Sequence, residues 1–150
     1  MYERLDRMHA RCYYTRPMRI LAIDYGSKRV GLAISEHALL AQGFKTLSNN
    51  HHLIDELVHI INEREISKVI IGNPKNMDGS ISMQSKEVAR FSKFLAKRIV
   101  PCEVLLVDEL LSSVEADAIM NLVKTKKKKR KEIQDQIAAE IILRRYLNTQ

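Results

Sequence analysis

The chain has 150 residues, a length that suits one domain with its own hydrophobic core. Hydrophobic residues make up 45% and charged residues 29% of it, and no apolar run approaches the roughly 18 residues that span a membrane, so disordered and membrane-spanning classes are excluded. The 25 Lys and Arg residues against 18 Asp and Glu residues give a net charge of +7, which favours a polyanionic partner.

The chain opens with a segment that lacks a regular hydrophobic period, MYERLDRMHARCYYTRP. It carries four arginines, which could touch nucleic acid, and it ends in Arg16-Pro17. A strongly patterned segment begins directly after it at Met18. We therefore predict an appended, flexible tail over residues 1–17 and a single domain over residues 18–150.

The patterned part begins with three short apolar runs. The first two, RILAID and RVGLAIS, flank a Gly-containing turn and predict a β-hairpin, and the third predicts the next strand of a meander. The period then changes to helical spacing from Leu53 to Ile61, with Asn49 and Asn50 before it as candidate caps. The three predicted strands cover residues 19–24, 29–35 and 39–47.

Strands and helices alternate in the second half of the chain. The strand KVII ends at Gly72, and a loop with turn signals, GNPKNMDGS, follows it. The next helix must stop before Pro101, and the strand EVLLV then leads into Asp108-Glu109. The predicted elements are strands over 68–71 and 103–107 and helices over 88–99, 112–123 and 133–147.

A basic run, KTKKKKRK at Lys124–Lys131, separates the last two predicted helices. Its seven positive charges equal the net charge, so the rest of the chain sums to zero. Such a run attracts phosphates, or it forms a solvated loop that binds nothing, and both interpretations remain open here. The substrate contacts expected under the first interpretation are Lys126, Lys127, Lys128, Lys129 and Arg130.

The order of the elements predicts an α/β fold. It comprises a mixed five-stranded sheet, in which a three-strand antiparallel meander is joined by two parallel strands, flanked by helices. Ligands of such sheets bind beyond the carboxyl ends of the parallel strands. Functional side chains are therefore expected at that edge.

Three acidic residues lie at the ends of elements near that edge. Asp24 ends the first strand, Glu109 ends the last, and Asp135 is predicted in the first turn of the final helix. Carboxylates on rigid elements suit Mg²⁺. Two such ions about 3.5 to 4 Å apart can bind the attacking water and the leaving oxygen when a phosphodiester is hydrolysed. We therefore predict that these residues bind metal and catalyse hydrolysis of nucleic acid. Each alone also fits a plainer role, as a turn residue, a loop start or a helix-terminal charge.

Neighbouring residues are candidates for substrate contacts. Lys28 or Arg29 can meet a phosphate near the first acid. Gly26 can take positive φ in the turn and Gly31 allows a close backbone approach, or these residues form only a hairpin. Asn73 belongs to a loop whose amides line the substrate groove or which is only a structural turn.

Cysteine usage points to a reducing compartment. Cys12 and Cys102 form no CxxC pair and have no short spacing to a histidine, so neither a disulfide framework nor a zinc site is predicted. No apolar segment typical of a secretory signal follows the first residues. A cytoplasmic location is therefore expected.

Four ordered blocks resemble the signature blocks of the YqgF (RuvX) family. That family resembles the Holliday junction resolvase RuvC and has an RNase H-like fold. The resemblance covers Met18 to Leu147 and implies a cytoplasmic, metal-dependent nuclease that trims the 5′ end of precursor 16S ribosomal RNA, with Mg²⁺ or Mn²⁺ as the expected cofactor. It places the family's acidic positions on Asp24, Glu109 and Asp135. The blocks are DYGSKRVGLAIS (24–35), GNPKNMDGS (72–80), VDELLSS (107–113) and DQIAAEIILRRYL (135–147).

One position departs from the family pattern. Leu110 stands where the family usually has an arginine, although Ser112 and Ser113 match its Ser/Thr pair. An arginine beside a metal site can bind a phosphate through two hydrogen bonds, and a leucine cannot. The basic run is a candidate to supply those phosphate contacts instead.

The resemblance leaves several functions to compare. Precursor rRNA or a ribosomal particle is the expected partner, ahead of branched DNA, with no membrane partner and a monomer or weak dimer. A resolvase-like endonuclease would use the same acids on a four-way junction, normally as a dimer. A non-catalytic RNA-binding or ribosome-assembly factor would keep the fold, with Leu110 marking lost activity. Asp24-Tyr25-Gly26 also resembles a phosphate loop of sugar kinases and actin-like ATPases, but this chain is too short for their second lobe.

Overall fold

The computed structural model describes residues 17–76, 78–109 and 127–150. The predicted helix over 112–123 and residues 1–16 of the predicted tail lie outside the described residues. Within the described ranges, no helix is long and apolar enough to cross a membrane. The elements, in chain order, are β1 (Ile20–Tyr25), β2 (Arg29–Ser35), β3 (Gln42–Ser48), α1 (Leu53–Glu63), β4 (Lys68–Pro74), α2 (Met83–Arg98), β5 (Glu103–Glu109) and α3 (Lys127–Asn148).

The strands form one sheet in the order β3-β2-β1-β4-β5. The β1–β2 and β2–β3 pairs are antiparallel, and β4 runs parallel to both β1 and β5. This arrangement confirms the predicted mixed sheet. Because β1, β4 and β5 run in one direction, their carboxyl ends meet at one edge of the sheet.

Each face of the sheet is covered by helices. Leu21 and Ile23 of β1 belong to the hydrophobic cluster that includes residues of α1 and α2. Ile20 and Ala22 belong to a second cluster that includes residues of α3. Since side chains alternate between the faces of a strand, the next residue, Asp24, is directed to the α3 face.

The parallel strands extend further than their apolar runs. Predicted to end at residues 71 and 107, β4 and β5 remain paired through Pro74 and Glu109. Backbone pairing continues after the hydrophobic residues stop, because the ladder depends on the main chain. Asn73 is therefore a strand residue, and the prediction that places it in a loop is wrong.

The helix α1 starts at the predicted Leu53, whereas α2 starts before its predicted first residue, 88. The helix α1 has His52 as its N-cap, without a side-chain hydrogen bond. Asn50 acts in the turn before it, where its side-chain oxygen accepts a hydrogen bond from the His52 backbone N–H at 2.9 Å. In α2, the Ser82 hydroxyl accepts from the Ser85 backbone N–H at 3.0 Å, so this helix begins well before Val88.

The described part of the basic run is helical. Because α3 is already helical at Lys127, Asp135 lies in its third turn, and the prediction of a first-turn position is wrong. The interpretation of the run as a loop fails for residues 127–131 for the same reason. Lys and Arg are good helix formers, and neither Gly nor Pro interrupts the chain between the run and Asp135.

Candidate active site

The first candidate residue, Asp24, lies near the carboxyl end of β1. Its register partner on β2 is Gly31. A β-carbon on Gly31 would clash with the backbone carbonyl of Asp135, so the absence of a side chain there allows α3 to lie directly over β2. The close approach predicted for Gly31 is thus present, and it brings the helix that bears Asp135 beside Asp24.

Glu109 ends β5 and turns its side chain over the neighbouring strand. A β-carbon on Gly72 of β4 would lie 2.6 Å from Glu109 Oε2 and 2.7 Å from Ile142 Cδ1 of α3. Gly72 therefore leaves the space that the glutamate occupies. Glu109 is consequently directed to the α3 face, the same face as Asp24.

Asp135 is held by an ion pair. Its Oδ2 accepts a hydrogen bond from Arg29 Nε at 2.7 Å, and the two side chains are 20% and 37% exposed. Arg29 begins β2, directly after the β1–β2 turn. The pair therefore ties α3 to the start of β2, two residues before Gly31, and keeps one negative and one positive charge beside Asp24.

The β1–β2 turn is compact for a reason other than the predicted one. Gly79 is the glycine with positive φ among the described residues, so the expectation for Gly26 is wrong. Instead, the Gly26 backbone N–H donates to the Arg29 carbonyl at 3.0 Å, and a β-carbon on Gly26 would lie 2.5 Å from that oxygen. The tight turn brings Arg29 back beside the end of β1.

The acids affect one another electrostatically. Burial raises the pKa of Asp24 to about 6, and the negative charge of Asp135 adds to this rise. Burial also raises the pKa of Glu109 to about 7, with a further increase from Asp24 and an opposing effect of the Arg145 cation. Asp24 therefore lies within electrostatic range of both other acids, and the free chain disfavours ionising them together.

These donors suit a hard divalent cation. Carboxylate oxygens are the ligands that Mg²⁺ and Mn²⁺ favour, and a cation beside Asp24 and Glu109 would offset the repulsion between them. Across the part of the chain that the structure describes, no three His, Cys, Asp or Glu side chains enclose a point in metal-ligand geometry. Asp135 is instead paired with Arg29. Asp24 and Glu109 thus provide the donors that fit best.

The predicted substrate residues are spread over the two faces. Lys28 is exposed in the β1–β2 turn, beside the acids. The Asn73 Oδ1 atom accepts a hydrogen bond from the Ser85 hydroxyl of α2 at 2.8 Å, so this side chain is directed away from them. In α3, Lys129 is exposed and Arg130 is half-buried. Of the remaining basic run, Lys127 and Lys128 are described in backbone only.

Several predicted features lie outside the described residues. They include the unusual Leu110 and the Ser112 and Ser113 pair that follows it, together with Lys126.

Two functional features were not apparent from the sequence. Gly72 was assigned only to a strand end, yet it makes room for Glu109. The second is Arg145, whose positive charge lowers the pKa of Glu109. Arg145 lies one helical turn after Ile142, the α3 residue that packs beside Gly72. Helical spacing from Asp135 could have placed Ile142 on the sheet-facing side, but the contact with Glu109 depends on strand register.

A mixed sheet of this strand order, with helices packed on both faces, defines an RNase H-like fold, and the acids at the ends of β1 and β5 lie at its carboxyl edge. The solved structures support this class. Thermus thermophilus RuvC matches with a TM-score of 0.51 and 12% identity, over 88% of this chain and 96% of that one. RuvC of T. thermophilus in complex with a Holliday junction substrate matches with a TM-score of 0.50 and 11% identity, over the same shares. At such identities the likeness concerns the fold.

The chain belongs to the RuvX family. The family model described as "RuvX: Holliday junction resolvase" matches residues 18–149. A relative from Thermoanaerobacter pseudethanolicus is 39% identical over 137 residues, which cover 89% of this chain and 98% of the relative. A relative from Bacteroides fragilis is 39% identical over 134 residues, covering 87% and 96%. Both are named "Putative pre-16S rRNA nuclease". The predicted family is confirmed, and with it the assignment to a nuclease class of hydrolases.

Proposed function

We propose that this protein is a cytoplasmic, divalent-metal-dependent nuclease that matures the 5′ end of precursor 16S rRNA. The observation that carries the proposal is the pair of partly buried carboxylates, Asp24 and Glu109, on one face at the carboxyl edge of the sheet. The names of the relatives support the RNA substrate. The proposed catalytic residues are the three acids that the family resemblance selects: Asp24, Glu109 and Asp135.

The proposed metal ligands are Asp24 and Glu109, joined by Asp135. A bound Mg²⁺ or Mn²⁺ would neutralise charge on the phosphodiester and lower the pKa of a bound water. The chain's own contribution is to fix the ligands on β1, β5 and α3, which are stiff elements. Arg29 keeps the Asp135 carboxylate beside this edge through its ion pair.

Basic side chains near the acids are the proposed substrate contacts. Arg29 pairs with Asp135 and Lys28 precedes it in the turn, while Lys129 and Arg130 lie on α3 one to two turns before Asp135, with Lys126, Lys127 and Lys128 completing the basic run. Their charges suit the phosphate backbone, which carries no sequence information. Asn73 is left out of the proposed contacts, because its side chain is bound to Ser85 on the other face.

Cleavage of precursor RNA tests the proposal directly. Ribosomal particles that carry 5′-extended 16S rRNA are incubated with the wild type in Mg²⁺, Mn²⁺ or EDTA. We expect metal-dependent shortening of the 5′ end, and its loss in Asp24→Asn. The matched control is Asp108→Asn, because Asp108 precedes Glu109 but pairs with Lys75 at 2.9 Å and is exposed. Shortening that survives Asp24→Asn would refute the proposal.

Resolution of four-way DNA junctions is the second candidate, favoured by the description of the matching family model. It would use the same acids, so a junction labelled on each strand is included as a parallel substrate. Paired, symmetric cuts in the junction with no shortening of the rRNA would favour this candidate. A monomer in solution would argue against it, since two symmetric cuts need two active sites.

A further inference from the structure

One helix carries a line of positive charge on the face of the sheet opposite the acids. Four cations recur on α2 at spacings of four, three and four residues, which places them on one side of the helix. This side is opposite the buried Val88 and Leu95, and all four side chains are exposed. We call them the basic stripe: Lys86, Arg90, Lys93 and Lys97.

Within the described residues, the basic stripe forms no ion pair with an acidic side chain. None of its members takes part in the ion pairs found among the described residues. The next cation of the helix differs, because Arg98 pairs with Asp55 of α1 at 2.9 Å. The stripe therefore presents to an external anion positive charge that no ion pair among the described residues neutralises. Its regular spacing suits successive phosphates of a nucleic acid strand.

A cavity of about 570 Å³ opens beside the stripe. Three aromatic residues line it, Tyr25, Phe91 and Phe94, and Arg90 belongs to both the cavity and the stripe. The rings of Tyr25 and Phe91 lie 4.5 Å apart between centroids, and Phe94 is 56% exposed. We call this cavity the aromatic pocket. Its volume suits a small ligand, and exposed aromatic rings are the surfaces on which unpaired bases stack.

The aromatic pocket lies at the same edge of the sheet as the acids. Tyr25 directly follows Asp24 in β1, so the two side chains are directed to opposite faces of one strand end. Ser27, in the turn between β1 and β2, also lines the pocket. The Asn49 side chain donates to the Gly26 carbonyl at 2.7 Å and holds that turn in place. A strand that crosses the turn can thus reach both faces.

We propose that the basic stripe and the aromatic pocket form a second binding surface for single-stranded RNA, which holds an unpaired segment of the substrate outside the catalytic edge. The stripe binds phosphates, and one base stacks on Phe94 in the pocket. Glu87, the acid in the pocket lining, accepts a hydrogen bond from an exocyclic amine of the base. A second copy of this chain is a poor occupant, because two stripes would repel each other. The proposal extends the nuclease function proposed above and rests on it.

Binding of short RNA tests this surface without cleavage. A fluorescein-labelled single-stranded RNA of 15 nucleotides and an abasic strand of the same length are titrated in EDTA, with fluorescence anisotropy as the readout. In the double variant Arg90→Gln, Lys93→Gln we expect RNA affinity to fall about tenfold. The slope of log K against log[salt] should become shallower by about 1.4, since two phosphate contacts are lost. In Phe94→Ala we expect a five- to tenfold loss for RNA with bases and none for the abasic strand.

The charge-matched control is Lys45→Gln, Arg144→Gln, which removes two exposed cations that lie on β3 and α3, away from the stripe. We expect it to bind RNA within twofold of the wild type. Equal losses in the two double variants would overturn the proposal, because the effect would then follow net charge. A Phe94→Ala protein that binds both strands like the wild type would overturn the base-stacking part.

Failure of the nuclease function gives a different result. If Asp24→Asn leaves rRNA shortening intact while the stripe variants lose RNA affinity, the nuclease proposal fails and the binding surface stands. If the stripe variants keep full affinity while Asp24→Asn abolishes shortening, the surface fails and the nuclease stands.

Discussion

Glu109 occupies the space that a side chain on Gly72 would need. A β-carbon at Gly72 would lie 2.6 Å from Glu109 Oε2, so the glycine on β4 fixes where the carboxylate of β5 can rest. Among the three acids proposed to act in catalysis, Glu109 is thus positioned by a residue of the neighbouring strand β4. Strand pairing, and not only the identity of the acids, builds the active edge.

The substitution Gly72→Ala tests that relationship. The added methyl group would push against both Glu109 and the buried Ile142, so we expect a loss of about 1 to 3 kcal/mol in the free energy of unfolding. Displacing the carboxylate should also slow rRNA shortening by about ten- to a hundredfold. Urea unfolding and the cleavage assay measure the two effects.

Gly43→Ala is the matched control for this prediction. A β-carbon on Gly43 would lie 3.3 Å from Gln136 Cβ, a contact that a shift of a few tenths of an ångström relieves. We expect little change in stability or cleavage. Wild-type activity in Gly72→Ala would contradict the role given to this glycine.

The stability of the metal-free protein should fall as the pH rises. The folded chain raises the pKa of Asp24 from 3.8 to about 6 and that of Glu109 from 4.5 to about 7. The folded state therefore binds these protons more tightly than the unfolded state, and stability is lost between about pH 4 and pH 7. Asp24→Asn should stabilise the protein at pH 7.5 by about 1 to 3 kcal/mol and have little effect near pH 4.

Urea unfolding in EDTA at pH 4 and pH 7.5 measures this effect. Asp108→Asn serves again as the control, and its stability should follow the wild type at both pH values. An Asp24→Asn protein that is less stable than the wild type at pH 7.5 would contradict the rise in the pKa of Asp24 that burial and the charge of Asp135 cause.

Arg29 should have opposite effects on cation and RNA binding. Its guanidinium pairs with Asp135 and adds positive charge beside the acids. In Arg29→Gln, loss of this charge should tighten Mn²⁺ binding roughly fivefold, as expected for removing one cation at the edge of a solvated site. RNA binding should weaken, because one proposed phosphate contact is gone. Lys45→Gln is the control, and parallel weakening of metal and RNA would instead indicate a misfolded edge.

The hydrophobic period predicted the strands of the sheet because it depends on which faces are buried. β1 and β2 were located within a residue, which placed Asp24 near the end of β1, and the start of β5 at Glu103 was located too, which placed Glu109 near the end of that strand. The period does not report how far backbone pairing continues or which residues oppose one another across strands. The roles of Gly31 and Gly72 therefore became visible only with the register and with the packing of α3.

Charge counts were informative only where charges are contiguous in the sequence. The basic run at 124–131 is evident in the sequence, whereas the helical conformation of residues 127–131 is not, because the hydrophobic period of the final helix begins only at Ile133. On α2 the cations are spaced by the helical repeat and are not contiguous in the sequence. The net charge of residues 18–123 does not reveal them, because acidic residues elsewhere in that segment balance their charge. Helical spacing could have revealed this stripe, whereas the aromatic pocket beside it also depends on the fold.

Calorimetric titration with Mn²⁺ at pH 7.5 tests the central claim, that Asp24 and Glu109 bind a divalent cation together. We predict that the wild type and Asp108→Asn bind Mn²⁺ alike and that Glu109→Gln loses at least tenfold in affinity, because it lacks one of the two carboxylates. Equal Mn²⁺ affinity in Glu109→Gln and the wild type would contradict the claim.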